Sequence, residues 1–290
     1  MRHTRFPVSS MKAEASAGGQ NMQPLLKVEN LVKRYAKRSL AGAREEKLAL
    51  DGVSFAIFPG TTLAVVGESG SGKSTLASCL AGLESPTAGK IWFEGKDIVK
   101  LRERARRQVR PQIQLIFQDP ASSLNPRWGV FEILIEPLVL QGIYTSEEMK
   151  QRAGSLLERV GLSPDIVERP PTELSGGQRQ RLAIARALAL EPKLLILDEA
   201  LSALDCSVQA QIANLLMELQ SSHGMTYLFI THDLAMAAHL ADEIAVMNCG
   251  RIVEQGPAEK VLQQPQHETT RQLLAAVPRI TRAALPAVEQ

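Results

Sequence analysis

The hydrophobic pattern of this chain begins at Leu25 and first has the period of strands. Apolar and polar residues alternate over residues 25–31 and 53–58, and a mostly apolar run covers residues 61–66. Alternation predicts strands with one buried face, whereas the apolar run predicts a strand that is buried on both faces. Residues 73–83 then have helical spacing. The early chain therefore predicts half-buried strands, followed by a buried strand, a loop and a helix.

Later apolar runs are short and alternate with helical stretches. The predicted buried strands cover residues 112–117, 194–197, 226–230 and 243–247. Strands that alternate with helices are typical of an α/β fold with a mainly parallel sheet. The antiparallel part is expected only near residues 25–60 and 91–93.

A longer helical pattern interrupts this alternation between residues 131 and 160. Ser146, followed by two glutamates, is typical of a helix start, and Gly161 is typical of a residue just after a helix end. We interpret the segment as a helical subdomain inserted into the core at about residues 119–180. The chain has no internal repeat, so residues 24–255 are expected to form one domain.

The two ends of the chain differ from this core. Residues 1–23 are polar, rich in Ser, Ala and Gly, and without helical or strand period, which predicts a disordered tail. The alternative is a misassigned start, with translation beginning at Met11 or Met22. Residues 256–290 are expected to form a C-terminal extension.

Composition narrows the possible partners. The 33 Lys and Arg residues nearly balance 31 Asp and Glu residues, so no nucleic-acid surface is expected, and the short basic run at residues 102–107 is interpreted as a solvated helix face. The three cysteines have no C-x-x-C spacing, which argues against a disulfide framework or a zinc or iron–sulfur site and fits a reducing cytosol. No apolar run approaches the roughly 20 residues that span a bilayer. Any membrane association is therefore expected through other chains.

A phosphate-binding loop is predicted between the buried strand and the helix. Residues 67–74 match the pattern G-x-x-x-x-G-K-[ST], in which backbone N–H groups and a helix N-terminus face phosphate groups. Lys73 is expected to reach the β and γ phosphates, and Ser74 to hold Mg²⁺. The alternative is a Gly/Ser-rich turn without a ligand, and the loop alone does not separate a kinase, a GTPase and a transporter motor. The predicted nucleotide-binding residues of this phosphate loop are Gly67, Glu68, Ser69, Gly70, Ser71, Gly72, Lys73, Ser74 and Thr75.

The apolar run at residues 194–197 ends in two carboxylates, Asp198 and Glu199. A carboxylate beside a bound phosphate can hold the metal ion, and a second one can take a proton from the attacking water. We assign Asp198 to the metal and Glu199 to the general base. The alternative is an ordinary strand followed by a helix that acidic residues cap.

The signature segment (residues 174–178, Leu-Ser-Gly-Gly-Gln) precedes a predicted helix through Ala187. Glycines at a helix N-terminus make a second anion-binding site. The segment resembles the signature motif of the ABC ATPase family, and the resemblance extends over about residues 25–255. It implies a P-loop NTPase fold of the ABC type, with a mainly parallel core sheet, an antiparallel β subdomain and an inserted helical subdomain. It also implies that ATP held by a second subunit is covered in trans by Leu174, Ser175, Gly176, Gly177 and Gln178.

The same resemblance assigns further positions. Tyr35 corresponds to the aromatic residue that stacks on adenine, with plain core packing as the alternative. Gln118 corresponds to the glutamine that contacts Mg²⁺ and the water, and His232 to the histidine that senses the γ-phosphate. The interface loop, which crosses between the two ATPase subunits, consists of Ser202, Ala203, Leu204 and Asp205.

A more specific resemblance concerns the branch of the family. Residues 118–126 are similar to the string found in oligopeptide, dipeptide and nickel importers. The tail at residues 265–274 is similar to theirs in part, but Glu268 and Thr269 replace the usual Pro-Tyr. Because no cysteine follows Cys249, the chain resembles the F-type subunit, which lacks the iron–sulfur centre of its partner.

That branch implies a set of partners and a location. These are a distinct D-type ATPase subunit, two transmembrane permease subunits and, indirectly, an extracytoplasmic substrate-binding protein, at the cytoplasmic face of the inner membrane. The implied cofactors are ATP and Mg²⁺. Peptides, nickel and metal chelates all stay open as cargo.

Two other readings compete with a transporter motor. One is a soluble ABC ATPase that acts on nucleic acid or the ribosome, but the chain has neither a second motor domain nor a long insertion before the signature segment. The other is a binding subunit regulated by ATP with little catalysis, which the presence of Glu199 and His232 disfavours.

Overall fold

The computed structural model describes residues 23–38, 44–119, 124–142 and 144–276. Its strands form two sheets. The strands are β1 (Leu26–Arg38), β2 (Arg44–Ile57), β3 (Thr62–Val66), β4 (Ala88–Phe93), β5 (Lys96–Asp97), β6 (Ile113–Ile116), β7 (Leu194–Asp198), β8 (Thr226–Thr231), β9 (Glu243–Asn248) and β10 (Arg251–Pro257).

Helices follow most strands of the larger sheet. They are α1 (Lys73–Leu80), α2 (Glu103–Val109), α3 (Val130–Gln141), α4 (Ser146–Arg159), α5 (Gly176–Leu188), α6 (Cys206–His223), α7 (Leu234–Leu240), α8 (Ala258–Gln263) and α9 (Glu268–Ala275). Short 3-10 helices lie at Arg110–Gln112, Pro164–Ile166 and Pro171–Glu173.

The larger sheet has the order β10-β9-β3-β8-β7-β6 and is parallel except at the edge pair of β9 and β10. β3, β7 and β8 are buried at every position. Burial on both faces is usual for parallel strands, which helices or a second layer cover on each side. The α/β fold with a mainly parallel core sheet is thus confirmed.

The smaller sheet has the order β2-β1-β4-β5 and its pairs are antiparallel. Its apolar face packs against α1 and one face of the core sheet, where Phe55, Phe93 and Leu76 belong to one buried cluster. The opposite face of the core sheet packs against α3 to α7 in a second cluster. The core sheet is therefore the middle layer of the molecule.

β1 and β2 are longer than the hydrophobic alternation predicted. They stay paired out to Arg38 and Arg44, with irregularities in register that include the step between Lys33 and Arg34. Each bulge shifts the side chains that follow to the other face, so the period of two is lost although the backbone ladder continues.

The helical pattern at residues 131–160 consists of two helices, and the predicted helix start at Ser146 is confirmed. Gly142, at φ 66°, ends α3, and Thr145 caps α4 by accepting from the Glu148 N–H. Gly161, at φ 68°, follows α4 as expected. Helices α3, α4 and α5 share one apolar core. The boundaries at residues 24–255 and about 119–180 stay predictions.

The C-terminal part contains elements that the sequence pattern did not predict, namely β10, α8 and α9. Residues 1–22 of the predicted tail and the last part of the extension, residues 277–290, lie outside the described residues. The described part of the extension is held to the core sheet through β10. It is therefore a packed element of the fold.

A buried carboxylate on β10 holds α9 in place. Glu254 is 8% exposed and accepts from the backbone N–H groups of Gln266, at 2.8 Å, and His267, at 2.9 Å. The Thr270 hydroxyl donates a third hydrogen bond. Burial alone would raise the pKa of Glu254, but these three donors outweigh it and hold the pKa below its ordinary 4.5.

We expect Glu254→Ala to lower the free energy of unfolding by roughly 1–3 kcal/mol at pH 7, because it leaves three donors without an acceptor. Since the folded-state pKa of Glu254 is lowered, its contribution is present above the ordinary pKa and is lost as the pH falls below about 4.5 through the folded value. Urea unfolding at pH 7 and at lower pH measures both effects. Glu259→Ala, on the exposed side of α8, is the matched control and should have a small effect. Equal losses from both variants would contradict the role of Glu254.

Candidate functional site

The predicted site residues meet at one edge of the core sheet because the strands that carry them are parallel and in register. Val66 is paired with Thr231, and Asp198 with Ile230. The carboxyl ends of these strands therefore lie side by side, which is where ligands bind in open α/β sheets. The residues that directly follow β3, β7 and β8 are Gly67, Glu199 and His232, and Gln118 follows the end of β6.

The phosphate loop is held between β2 and the β9–β10 hairpin. A methyl group on Gly67 would lie 2.2 Å from the Met247 carbonyl oxygen, and one on Gly72 would lie 2.4 Å from the Ala49 carbonyl oxygen. The Gly250 N–H also donates to the Ser71 carbonyl at 2.9 Å. The glycines thus permit a close approach of backbone to the loop on two sides.

The β9–β10 hairpin is the part of the site that sequence reasoning missed. Its two-residue turn is formed by Cys249 and Gly250, with φ of 46° and 79°. Positive φ at both positions is typical of a two-residue hairpin turn, whose twist matches that of the flanking strands. In the sequence, a residue pair ending in glycine between two strand patterns was the signal that could have predicted this hairpin. The hairpin places Gly250 against the phosphate loop.

Lys73 lies at the start of α1 and is almost fully buried. Its ammonium donates to the carbonyl oxygens of Gly67, at 2.8 Å, and Glu68, at 2.9 Å, and lies 3.7 Å from Glu199 Oε1. Burial lowers the pKa of Lys73, and the charges of Glu199 and Asp198 oppose this shift. The cation is therefore held at the centre of the loop by carbonyl dipoles and a carboxylate.

Ser74 and Asp198 bring two oxygen ligands together. The Ser74 hydroxyl donates to Asp198 Oδ1 at 3.1 Å, and Asp198 is buried. Burial raises the pKa of Asp198, and the bond from Ser74 counteracts this rise. In the part of the chain that the structure describes, no group of three or more His, Cys, Asp and Glu side chains is placed to hold a metal ion. Mg²⁺ does not need one, because it takes one or two protein oxygens and completes its shell with phosphate and water.

Glu199 has a constrained backbone and two charged or polar neighbours. Its φ is 48°, its N–H donates to the Ile230 carbonyl at 2.9 Å, and Ser202 donates twice to its carbonyl. A non-glycine residue in this region of φ costs energy and is common at functional sites. Glu199 Oε2 lies 3.3 Å from His232 Nδ1, and the His232 side chain is 58% exposed. The carboxylate is therefore oriented between Lys73 and His232.

The signature segment begins α5 and contacts the start of α6. The hydroxyl of Ser175 accepts from the Gln178 N–H, and the Gln178 side chain accepts from the Ser175 N–H. A methyl group on Gly177 would lie 2.7 Å from Val208 Cγ1. Close packing of α5 on α6 therefore requires a glycine at position 177. The same packing brings the interface loop (residues 202–205) next to the signature segment.

The signature segment is separate from the phosphate loop of the same chain. Within the described ranges, no hydrogen bond or ion pair joins residues 174–178 to residues 67–75. The helix α5 contacts β6, which is three strand positions from β3, or about 14 Å at the usual strand spacing. The two anion sites of one chain are thus not directed at the same phosphate.

Tyr35 and Gln118 lie apart from the Lys73 and Glu199 contacts. Tyr35 is partly exposed and outside both buried clusters, with Lys33 Nζ 4.8 Å from its ring centre, so core packing was the wrong alternative. Tyr35 on β1 is paired with Lys47 of β2, two residues before Ala49, and this places it beside the strand that flanks the phosphate loop. Gln118 is exposed at the end of β6. Residues 120–123 of the importer-like string lie outside the described residues.

Over residues 23–38, 44–119, 124–142 and 144–276, no helix combines sufficient length with sufficient apolar character to span a membrane.

Comparison with known proteins identifies the family of this chain and several of its relatives. The family model described as "ABC transporter" matches residues 50–202. The dipeptide transport ATP-binding protein DppF of Escherichia coli is 46% identical over 259 residues, which cover 89% of this chain and 78% of DppF. The glutathione import ATP-binding protein GsiA of Escherichia coli is 47% identical over 94% of this chain. The chain spans only 45% of the length of GsiA.

Solved structures agree with the fold. The dimeric ATP-binding cassette MJ0796, in a post-hydrolysis state with ADP and Pi, has a TM-score of 0.71 and 30% identity, covering 80% of this chain and 98% of that chain. CbiO1 of Clostridium perfringens, part of the ABC transporter complex CbiONQ, has a TM-score of 0.73 and 32% identity, covering 89% of this chain and 97% of that chain.

We expect Gly72→Ala to destabilise the protein more than Gly70→Ala. Both glycines have positive φ, so alanine costs about 1–2 kcal/mol of backbone strain at either position. Only at Gly72 does the new methyl group also meet a backbone oxygen, which adds roughly 1–3 kcal/mol. Urea unfolding of the two variants measures the difference. Equal free energies of unfolding would show that β2 does not confine the loop.

Proposed function

Because this chain belongs to the ABC transporter family, as an ATP-binding subunit, we propose that it hydrolyses ATP to power the import of small peptides. One observation carries the catalytic part: the Glu199 carboxylate lies 3.7 Å from Lys73 Nζ and 3.3 Å from His232 Nδ1 beside the phosphate loop. The relatives DppF and GsiA, named for dipeptide transport and glutathione import, support the transport part. They lend no support to nickel as cargo or to action on nucleic acid.

The phosphate loop is proposed to bind the β and γ phosphates of ATP. Its backbone curls at Gly70 and Gly72, both at positive φ, and leads into the N-terminus of α1. N–H groups and the positive end of a helix favour anions at such a position. The Lys73 ammonium, held by the Gly67 and Glu68 carbonyls, exchanges part of these contacts for phosphate oxygens.

Glu199 is proposed as the general base. A base must lie within reach of the attacking water on the side of the γ-phosphate away from the leaving group. Glu199 sits at the mouth of the loop, and its strained backbone and the Ser202 bonds restrict its orientation. His232 contacts Glu199 Oε2 and is exposed toward the same edge, so it can donate to the γ-phosphate.

Ser74 and Asp198, joined at 3.1 Å, are proposed to hold Mg²⁺, with Gln118 reaching the same ion from β6. Bound Mg²⁺ neutralises charge on the β and γ phosphates. The burial of Asp198 makes its own charge costly, and a nearby cation offsets this cost.

A second ATPase subunit is proposed to complete each site. Ser175 and Gly176 are exposed at the N-terminus of α5, and among the described residues no hydrogen bond joins them to the phosphate loop of their own chain. An exposed helix N-terminus binds anions, so the signature segment suits the phosphates held by a partner. The similarity to a cassette solved as a dimer with ADP and Pi supports this arrangement. We propose a distinct D-type chain as the partner, as the resemblance to the F-type subunit implies.

Two transmembrane permeases are the proposed membrane partners, with this chain at the cytoplasmic face of the inner membrane. Phe117, next to Gln118, is 46% exposed, and Val139 and Leu140 at the end of α3 are 54% and 78% exposed. Exposed apolar side chains of this size suit a docking surface. A position beside Gln118 lets the permeases respond to the state of the nucleotide.

Closure of the ATPase dimer then drives transport. Moving a two-state dimer from mostly open to mostly closed takes about 5.5 kcal/mol of differential binding. Two nucleotides, each contacted by a phosphate loop and an opposing signature segment, can supply it. Hydrolysis removes the γ-phosphate contacts, and the dimer reopens.

We expect Glu199→Gln to keep ATP affinity and to lower turnover about 100- to 10,000-fold, because the amide cannot accept the proton of water. Phosphate release measures turnover, equilibrium binding of a fluorescent ATP analogue measures affinity, and gel filtration detects trapped dimers. Lys73→Ala should lose nucleotide binding itself.

Glu218→Gln, on the exposed face of α6, is the matched control and should leave both quantities unchanged. Wild-type turnover in Glu199→Gln would remove Glu199 as the base. Tight ATP binding by Lys73→Ala would remove Lys73 from the phosphate site.

The partners are tested by purifying the tagged chain from membranes after mild detergent extraction, followed by mass spectrometry. We expect two polytopic proteins and a second ATPase with a cysteine-rich tail. Recovery of the chain with nucleic acid and without membrane proteins would contradict the transporter assignment. A complex with permeases but a single kind of ATPase subunit would contradict only the D-type partner.

A further inference from the structure

The two-residue turn of the β9–β10 hairpin contacts the phosphate loop directly. Its second residue, Gly250, is buried, and the Gly250 N–H donates to the Ser71 carbonyl at 2.9 Å. On its other side, the Gly250 carbonyl accepts from the Asp51 N–H of β2 at 2.8 Å. The two backbone groups of one turn residue thus link β2 to the phosphate loop.

The bond to Ser71 determines the direction of a second group, the Gly72 N–H. The Ser71 carbonyl and the Gly72 N–H belong to the same trans peptide unit, so they point in opposite directions. Because the Ser71 carbonyl is directed at the hairpin, the Gly72 N–H is directed away from it. In the described part of the chain, this N–H donates to no backbone group. It lies at the N-cap of α1, where free N–H groups bind anions.

Two side-chain contacts brace the hairpin on either side of the turn. Arg251 follows the turn and pairs with the carboxylate of Asp51, with Arg251 Nε 2.6 Å from Asp51 Oδ2. Asn248, the cross-strand partner of Arg251, precedes the turn and donates to the Thr269 hydroxyl of α9 at 3.1 Å. The turn is therefore held from β2 on one side and from α9 on the other.

The turn is also in close backbone contact with β2. A methyl group on Gly250 would lie 2.8 Å from the Ala49 carbonyl oxygen. The same oxygen limits the space at Gly72, where a methyl group would lie 2.4 Å from it. The turn, β2 and the phosphate loop thus meet at one place, so a shift of the turn away from β2 would move the donor that holds the Ser71 carbonyl.

We propose that Gly250 and Arg251 are positioning residues for nucleotide binding. Gly250 holds the peptide between Ser71 and Gly72 so that the Gly72 N–H faces the phosphates, and Arg251 holds Gly250 in place through Asp51. Neither residue needs to touch the nucleotide. The inference rests on the proposed binding of ATP by the phosphate loop, and it adds two residues that the phosphate-loop sequence pattern does not contain.

Gly250→Ala tests the turn, and Gly95→Ala is its matched control. Gly95 is the second residue of the turn between β4 and β5, with φ of 75° against 79° for Gly250. Alanine therefore strains the backbone equally in both turns, but at Gly95 the new methyl group has no neighbour within 4 Å. Equilibrium binding of a fluorescent ATP analogue to the full-length chain, well below both thermal midpoints, should be weakened at least about tenfold by Gly250→Ala alone.

Arg251→Glu tests the contact that braces the turn. It places a second carboxylate beside Asp51, and we expect the affinity for the ATP analogue to fall at least about threefold. Asp51→Lys in the same protein restores an ion pair and should recover most of the affinity. Arg110→Glu is the control and should bind as the wild type does, because Arg110 is also paired, with Glu103 at 2.8 Å, and is 49% exposed against 54% for Arg251.

Steady-state kinetics separate a positioning role from a general loss of folding. A phosphate contact that is equal in the ground state and the transition state affects KM alone. Phosphate release by Gly250→Ala and Arg251→Glu should therefore show a raised KM for ATP and a kcat close to that of the wild type. Wild-type affinity in both variants, an equal loss in Gly95→Ala, or a lowered kcat with unchanged KM would overturn the inference.

Two further outcomes are distinguishable from these. If Asp51→Lys does not recover the affinity of Arg251→Glu, the role of Arg251 is overturned. If the wild-type chain itself binds no ATP analogue, the proposed function fails and this inference fails with it, whereas wild-type binding with unaffected variants overturns this inference alone.

Discussion

The parallel register of β3, β8 and β7 is the constraint on which the rest of the site depends. It brings the ends of three strands, distant in sequence, to one edge, and Lys73, Glu199 and His232 come into contact there. A slip of one residue in any pair would turn the side chains at these strand ends to the opposite face. The buried β3, β7 and β8 strands make such a slip costly, because it would also repack both apolar layers.

The charged side chains of the site are concentrated at positions that are shielded from water. Lys73 and Asp198 are nearly fully buried, and Glu199 lies beside the lysine. Each group alone would be costly in this position, and together they offset part of that cost. The Lys73 ammonium is bound by carbonyl oxygens and lies near the carboxylates of Glu199 and Asp198. A triphosphate and a divalent cation can replace some of these contacts at a small additional cost of desolvating the charged side chains.

The close packing of α5 on α6 joins two segments proposed to face a partner subunit. Gly177 admits Val208, and Ser202 of the interface loop is tied to the carbonyl of Glu199. The proposed base of one nucleotide site and the segment proposed to cover the other site are thus parts of one packed unit in each chain. This is a physical route by which the two sites of a dimer can influence one another.

The sequence was enough to predict the fold class, the family and most residues at the carboxyl ends of the core strands, because glycine spacing, the apolar strand with two carboxylates and the order of motifs are local properties. It did not show the long pairing of β1 with β2, the β9–β10 hairpin behind the phosphate loop, the Glu254 contacts to α9 or the ion pair of Arg251 with Asp51. Each of these depends on how separate elements pair or pack, which the hydrophobic pattern within one element does not show. The hydrophobic period of a segment predicts which face of a helix or strand is buried. The residues that this face packs against depend on the tertiary structure.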